Sequence, residues 1–260
     1  MGVLYAVLII SAIGLVFGVI LSLASKFFAV PVDERQEKIR EALPGANCGA
    51  CGFSGCDGYA AAINNGSAEP NLCTAGGEST AKVLSEILGT EVKTEKKVAF
   101  VKCNHSYNKA LSDYAYSGAV SCAAAAMLWG GPLSCKFGCM GLGDCVKVCD
   151  YGAISIIDGT AVVNRDLCVG CTKCAKVCPK NIIEIVPCSK QPAVACNNKQ
   201  KGAAARKVCT AACIGCMKCE KACKYGAITV NNNLAHIDTE KCTGCGECVS
   251  LCPTKCIVGE

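Results

Sequence analysis

Aromatic side chains are scarce in this chain. Of its 260 residues, one is Trp, seven are Tyr and six are Phe. Rings of this size supply a large share of ordinary core energy, so their scarcity excludes a conventional α/β enzyme core. The apolar share of 52% counts 26 cysteines; without them it falls to roughly 42%. Histidine is almost missing: His105 and His236 are the only two, and neither lies within a tight cysteine run. Zinc centres are pairs of ligand pairs that often include histidine, so a zinc scaffold fits poorly. No G-x-G-x-x-G follows a strand and opens a helix, and no P-loop is present; the glycines Gly141 and Gly143 lie inside a cysteine pattern and read as a cluster loop. Nicotinamide, flavin and ATP binding are therefore not expected on this chain, and no residue is expected to act as a catalytic acid, base or nucleophile.

Cysteine is what the chain has instead, one residue in ten. Most cysteines sit two or three residues from the next, a spacing ill suited to disulfide geometry. The specific signal is C-x2-C-x2-C-x3-C-P, the bacterial ferredoxin pattern. It occurs intact at Cys168, Cys171, Cys174, Cys178 and Pro179, and again at Cys242, Cys245, Cys248, Cys252 and Pro253. Three thiolates in a tight loop cap three corners of one [4Fe-4S] cubane, while the fourth points to a second cluster.

Residues 2–25 carry no charge and are almost wholly apolar, and no Lys or Arg precedes Lys26. About 20 such residues span a bilayer, whereas a signal peptide starts with a basic region. A retained membrane anchor over 1–28 is expected. Lys26, Arg35, Lys38 and Arg40 follow it, which by the positive-inside rule puts the body in the cytoplasm. Gly14, Gly18 and Ser22 form a small-residue face suited to close packing on other membrane helices. Val32, Gln36, Ile39 and Leu43 predict a short helix with one apolar edge.

The next segment, LPGANCGACGFSGCDGY, places Cys48, Cys51, Cys56 and Cys73 at C-x2-C-x4-C-x16-C, one complete [4Fe-4S] ligand set. Behind a single anchor and ahead of ferredoxin motifs, this segment resembles the B subunit of the Rnf complex, a membrane-bound, ion-translocating ferredoxin:NAD oxidoreductase. The resemblance covers essentially the whole chain and is to the longer forms from anaerobic bacteria. It implies an electron-transfer subunit of a translocase, fed by a soluble ferredoxin and delivering to membrane and peripheral subunits that carry flavin, further clusters and the nicotinamide site. Thr74-Ala75 stands where a proline-glycine pair is expected, outside the ligands.

An internal repeat follows. Cys135, Cys139, Cys145 and Cys149 align without gaps to Cys209, Cys213, Cys219 and Cys223, and each copy leads into one intact motif. Upstream, Val101-Lys102-Cys103-Asn104 matches Val194-Ala195-Cys196-Asn197. Repeats at this scale argue for duplicated units. By the ferredoxin crossing rule, Cys213, Cys216, Cys219 and Cys252 hold one cluster, and Cys223, Cys242, Cys245 and Cys248 another. In the first copy, Cys149, Cys168, Cys171 and Cys174 are complete. Cys139, Cys145 and Cys178 lack a partner because Leu142 replaces the counterpart of Cys216; Cys122 and Cys135 are the candidates. Five sites use 20 cysteines. If Cys122 completes the defective one, then Cys103, Cys135, Cys196 and Cys209 remain as two pseudo-symmetric pairs able to hold a sixth cluster between the copies, and Cys188 and Cys256 read as packing residues.

The expected fold is α+β: a single transmembrane helix (1–28), a small helical 4Fe-4S domain (32–90) and two tandem 2[4Fe-4S] ferredoxin-like modules (98–188 and 192–260). Strands are expected at 153–157, 161–163, 182–186, 227–230 and 235–237, with hairpin turns at Asp158-Gly159 and 231–233. The formal charge of +5 suggests nucleic acid, but an oxidised cubane with four thiolates carries about −2, so five reverse the sign. Two basic groups, Lys93, Lys96 and Lys97, and Lys199, Lys201, Arg206 and Lys207, could steer an acidic ferredoxin. The alternatives are a related membrane complex reducing a redox-sensing regulator, another low-potential reductase, and a structural zinc or iron–sulfur module.

Overall fold

The computed structural model describes residues 2–27, 33–92, 94–104, 110–188 and 191–259. Val32, Lys93 and His105 lie outside them. The first helix, α1 (Gly2–Phe27), is long and apolar enough to cross a membrane over Val7–Ser25. It buries none of that stretch against the rest of the chain, so Ile10, Leu15 and Leu21 present bare hydrocarbon. Such a surface needs lipid or other helices around it.

Three helices then form a small domain: α2 (Glu34–Ala42), α3 (Cys56–Asn64) and α4 (Gly77–Leu88). Asp33 caps α2, accepting from the Arg35 N–H at 2.9 Å. Its second oxygen accepts from the Asn64 side-chain amide at 2.6 Å, which ties the start of α2 to the end of α3. Ile39, Leu43, Tyr59, Ala60, Ile63 and Leu84 form the core. Thr80, Ala81 and Leu84 of α4 are buried, so α4 packs as part of this domain.

The first module contains β1 (Lys97–Val101), α5 (Cys122–Met127), α6 (Asp144–Lys147), β2 (Ile154–Ile157), β3 (Thr160–Val163), α7 (Lys173–Val177) and β4 (Ile183–Pro187). The second contains β5 (Ala193–Val194), α8 (Gly202–Val208), α9 (Lys218–Ala222), β6 (Ile228–Asn231), β7 (Leu234–Ile237), α10 (Glu247–Leu251) and β8 (Ile257–Val258). In each, one antiparallel hairpin (β2–β3, β6–β7) is joined by a second pair that brings the module's ends together (β1–β4, β5–β8). The hairpin turns put Asp158 and Gly159, and Asn232 and Asn233, in the left-handed region, as tight two-residue turns require. β1 and β5 were not legible in sequence: β5 has two residues, and both pair with strands far along the chain.

The buried core of the first module is Val, Ala, Ile and Cys, with Cys139, Cys145, Cys168 and Cys174 among its members and no aromatic residue. Residues 110–134 leave this core as an arm. The base of the arm lies on the second module, where Leu111 N–H donates to the Val208 carbonyl at 3.1 Å and Ala110 bridges to Cys209.

Candidate metal centres

None of the 26 cysteines forms a disulfide. In the small domain, Cys56 opens α3 and its N–H donates to Asn47 Oδ1 at 2.8 Å. Tyr59, one turn on, donates its hydroxyl to the Glu69 carbonyl at 2.7 Å and accepts from the Leu72 N–H at 3.0 Å. Sequence reasoning missed this residue, whose hydroxyl fixes the segment returning Cys73. Burial, then the neighbouring Cys56, Cys51 and Cys48, push the Cys73 thiol up.

In the first module, burial and then Cys171, Cys168 and Cys149 raise Cys174 to about 11. Backbone N–H groups already point at this set: Ala99 to Cys168 Sγ at 3.3 Å and Ala153 to Cys149 Sγ at 3.4 Å. Beside the defective set stands Cys122 and not Cys135. Cys122, Cys139, Cys145 and Cys178 line one small cavity, and burial, then Cys139, Cys122, Cys174 and Cys178, push Cys145 up to about 12.

In the second module, Cys213, Cys216, Cys219 and Cys252 line one small cavity. Cys223, Cys242, Cys245 and Cys248 line another together with Cys219. Cys256 is buried in the second module's core, as a packing residue is expected to be; its sulfur also lies 3.6 Å from Cys252 Sγ, and it lines the same cavity as the first set. That contact is the largest cause holding Cys252 down at about 4. Cys188 packs at the edge of the first module's core.

Cys135 goes elsewhere. With Cys103, Cys196 and Cys209 it lines a further small cavity between the modules. The buried Asn198 amide donates to Cys135 Sγ at 3.6 Å. Burial raises both Cys135 and Cys196, with Cys209 and Cys135 respectively among the neighbouring groups that add to it.

The donor sets fit [4Fe-4S] clusters. Four small cavities are each lined by at least four thiols, and thiolate is the ligand such clusters take. Among the described residues, no group of three or more Cys, His, Asp or Glu stands in single-ion geometry.

The sites are also contiguous. Burial first, and Cys48 among the neighbouring groups, push the Cys171 thiol up. Lys176 Nζ donates to the Cys48 carbonyl at 3.0 Å, and Thr74 Oγ1 to the Gly170 carbonyl at 3.2 Å, so the small domain docks on the 168–174 loop. Thr74, the residue departing from the expected pattern, therefore sits in an interface. Cys174 lies near Cys145. The Cys139 N–H donates to Cys103 Sγ at 3.4 Å, and the Cys213 N–H to Cys196 Sγ at 3.2 Å. Cys219 borders both cavities of the second module.

Residues 43–75 match the FeS family, described as an Fe-S cluster, and residues 134–182 and 212–256 match the 4Fe-4S dicluster domain. The chain is 45% identical over 260 residues to the B subunit of the Na(+)-translocating ferredoxin:NAD(+) oxidoreductase complex of Acetobacterium woodii, covering 99% of this chain and 78% of the relative. It is 42% identical to the B subunit of the proton-translocating ferredoxin:NAD(+) oxidoreductase complex of Clostridium ljungdahlii, covering 98% and 92%. It is 41% identical to the B subunit of the ion-translocating oxidoreductase complex of Methanosarcina acetivorans, covering 97% and 96%. The chain belongs to the B-subunit family of ion-translocating ferredoxin:NAD oxidoreductase complexes.

Within this family member, the matched segments hold Cys48, Cys51, Cys56 and Cys73 and most of the cysteines of both modules. Cys122, Cys103, Cys196 and Cys209 fall outside them; the sequence offered them as candidate ligands, and the tertiary structure places each beside the expected partners. Of the basic groups, Lys199, Lys201, Arg206 and Lys207 lie on and beside α8, and Lys201, Arg206 and their neighbours face solvent. Lys96 is exposed and donates to the Asp166 carbonyl at 3.3 Å. His236 pairs with Thr229 within the β6–β7 hairpin.

Proposed function

We propose that this chain takes electrons from a reduced soluble ferredoxin and passes them through six [4Fe-4S] clusters toward the membrane partners of its complex. The observation that carries this is the unbroken succession of thiol sites from the 242–248 loop, through the space between the modules, to Cys48 and the anchored end of the chain. When bound, such clusters supply one-electron exchange without atom transfer. The protein's part is to hold them in line, donate N–H groups to their sulfurs and keep water from most of them. Among the described residues, Cys216 and Cys245 are the only exposed cysteines, and both belong to the module farthest along this line from the anchor. That makes the second module the entry for a soluble donor. The basic Lys199, Lys201, Arg206 and Lys207 complement the acidic surface of a ferredoxin. The chain is read as single-pass, with α1 in the bilayer, the body in the cytoplasm, and module boundaries near 98–188 and 192–260.

The test is anaerobic purification of the complex from membranes with iron counting on this subunit. Near 24 iron atoms per chain supports six clusters. Serine at both Cys103 and Cys196 should lower the count by about four, and an unchanged count would remove the site between the modules. Charge reversal at Lys199, Lys201, Arg206 and Lys207 should flatten the salt dependence of ferredoxin oxidation; an unaltered dependence would place entry elsewhere.

A further inference from the structure

The two modules differ in one pair of features. The first has Leu142 where the second has Cys216, and the first has 31 residues between Cys103 and Cys135 where the second has 12 between Cys196 and Cys209. The extra chain is the arm that carries Cys122. Apolar packing does little to place its tip. Ala125 is the one buried residue of α5, while Val120, Met127 and Trp129 are 68%, 86% and 88% exposed. The base of the arm is held separately, by Lys136 Nζ on Asp113 at 2.9 Å and by Lys180 on the carbonyls of Gly130 and Lys136.

The tip is held by α6, the helix that carries Cys145. The Ser121 hydroxyl donates to Asp144 Oδ2 at 2.9 Å, and the Ala123 N–H donates to the same oxygen at 3.0 Å. These are the two chain neighbours of Cys122. Lys147 Nζ, one turn along α6, donates to the Val120 carbonyl at 2.6 Å. In the second module the counterparts of Asp144 and Lys147 are Lys218 and Lys221; a clamp on an arm is not needed there, because the loop supplies its own thiol.

We propose that Asp144 is the positioning residue that makes Cys122 a ligand: by gripping the residues on either side of it, the carboxylate holds an external thiol in the place left by Leu142. This rests on the reading that Cys122 completes the set of Cys139, Cys145 and Cys178. Charge-assisted hydrogen bonds are about twice as strong as neutral ones, and two of them converge on one oxygen in a segment with little else to hold it. The consequence is a cluster corner that detaches more readily than the others when the clamp is removed.

The test uses the full chain in its anaerobically purified complex, with Cys122→Ser, Asp144→Ala and Asp144→Glu variants. The readouts are iron per chain and the EPR signal of a three-iron cluster during mild ferricyanide oxidation. Cys122→Ser should give the three-iron form at one site. Asp144→Ala should give the same signal at least about tenfold faster than the unaltered chain, through loss of two charge-assisted hydrogen bonds, with the remaining clusters unchanged. Asp144→Glu, which keeps the carboxylate, should fall between the two. If Cys122→Ser leaves the spectrum intact, the ligand reading fails. If Cys122→Ser converts the site but Asp144→Ala does not, the clamp fails while the ligand reading stands. Loss of every cluster together in both Asp144 variants would show a fold-wide role and overturn the positioning role.

Discussion

Replacing Tyr59 by Phe isolates what one hydroxyl does for one cluster site. The ring is 1% exposed, sits among Ile39, Ile63 and Leu84, and lies 5.3 Å from the Phe53 ring. Phe keeps all of that. Only the hydroxyl is lost, and with it the bonds to the Glu69 carbonyl and the Leu72 N–H. Burial raises the phenol to about 12, so it is neutral at physiological pH and both bonds are of the ordinary kind. Each contributes about 1 kcal/mol net, giving about 2 kcal/mol for the pair. The cost falls on residues 69–72, which deliver Cys73, and therefore on local opening of that loop more than on the whole chain. At about 1.4 kcal/mol per tenfold, iron release from this site to a chelator should be about 30-fold faster. Chelation kinetics followed by EPR would measure it. A release rate within about twofold of the unaltered protein, or equal acceleration at all sites, would refute the reasoning.

Other outcomes follow from the same geometry. Leu142→Cys added to Cys122→Ser should restore the four-iron cluster, since Gly141 and Gly215 share a left-handed backbone and the two loops align in sequence; EPR would read the restoration. Gly244→Ala meets open space but still forces a left-handed φ and should cost about 1–2 kcal/mol, whereas Gly141→Ala adds to the same strain a Cβ 2.5 Å from the Gly159 carbonyl oxygen and should cost more; iron retention under mild urea would rank them. Cys256→Ala removes the thiol beside Cys252 and should lower the reduction potential of that cluster, because a donor to a ligand sulfur favours the more negative, reduced state; an EPR-monitored redox titration checks it. For Asp144, burial raises the pKa, but hydrogen bonds from Ala123, Ser121 and Cys122 outweigh it and the net shift is downward from 3.8. A depressed carboxylate contributes above its unfolded pKa and loses that contribution as pH falls through the folded value. Iron loss at the Cys122 site should therefore be insensitive to pH between about 6 and 8, and a steep dependence there would point to another titrating group.

The repeat and the two intact motifs were legible in sequence because ferredoxin ligation is local: three thiols in one tight loop need only spacing to declare themselves. The hairpins β2–β3 and β6–β7 were legible for the same reason, since Asp158-Gly159 and 231–233 are turn chemistry between adjacent strands. What stayed hidden depended on distant pairing. β1 meets β4 across the whole first module, and β5 is too short to carry a pattern. Tyr59 reads as an ordinary core residue until its hydroxyl is seen on the Cys73 segment. Cys256 reads as packing and is buried, but spacing does not encode its sulfur's place beside Cys252.

The charge pair after each fourth cysteine shows the same division. Asp150 and Lys224 stand where proline is usual, which reads from sequence only as a weakened motif. In the folded chain Asp150 pairs with Lys173 at 2.5 Å and Lys224 with Glu247 at 3.3 Å, the same contact with the charges exchanged. One-dimensional order was thus enough to set the class of cofactor, the duplication and most of the candidate ligands, since the thiols that bind one cluster lie mostly within a few residues. Tertiary structure decided that Cys122 and not Cys135 stands at the gap left by Leu142, brought Cys103, Cys135, Cys196 and Cys209 to one cavity between the modules, and docked the small domain on the first module through Lys176 and Thr74. Those choices depend on how an arm and two modules pack through space, and residue spacing does not encode that when the partners are tens of residues apart.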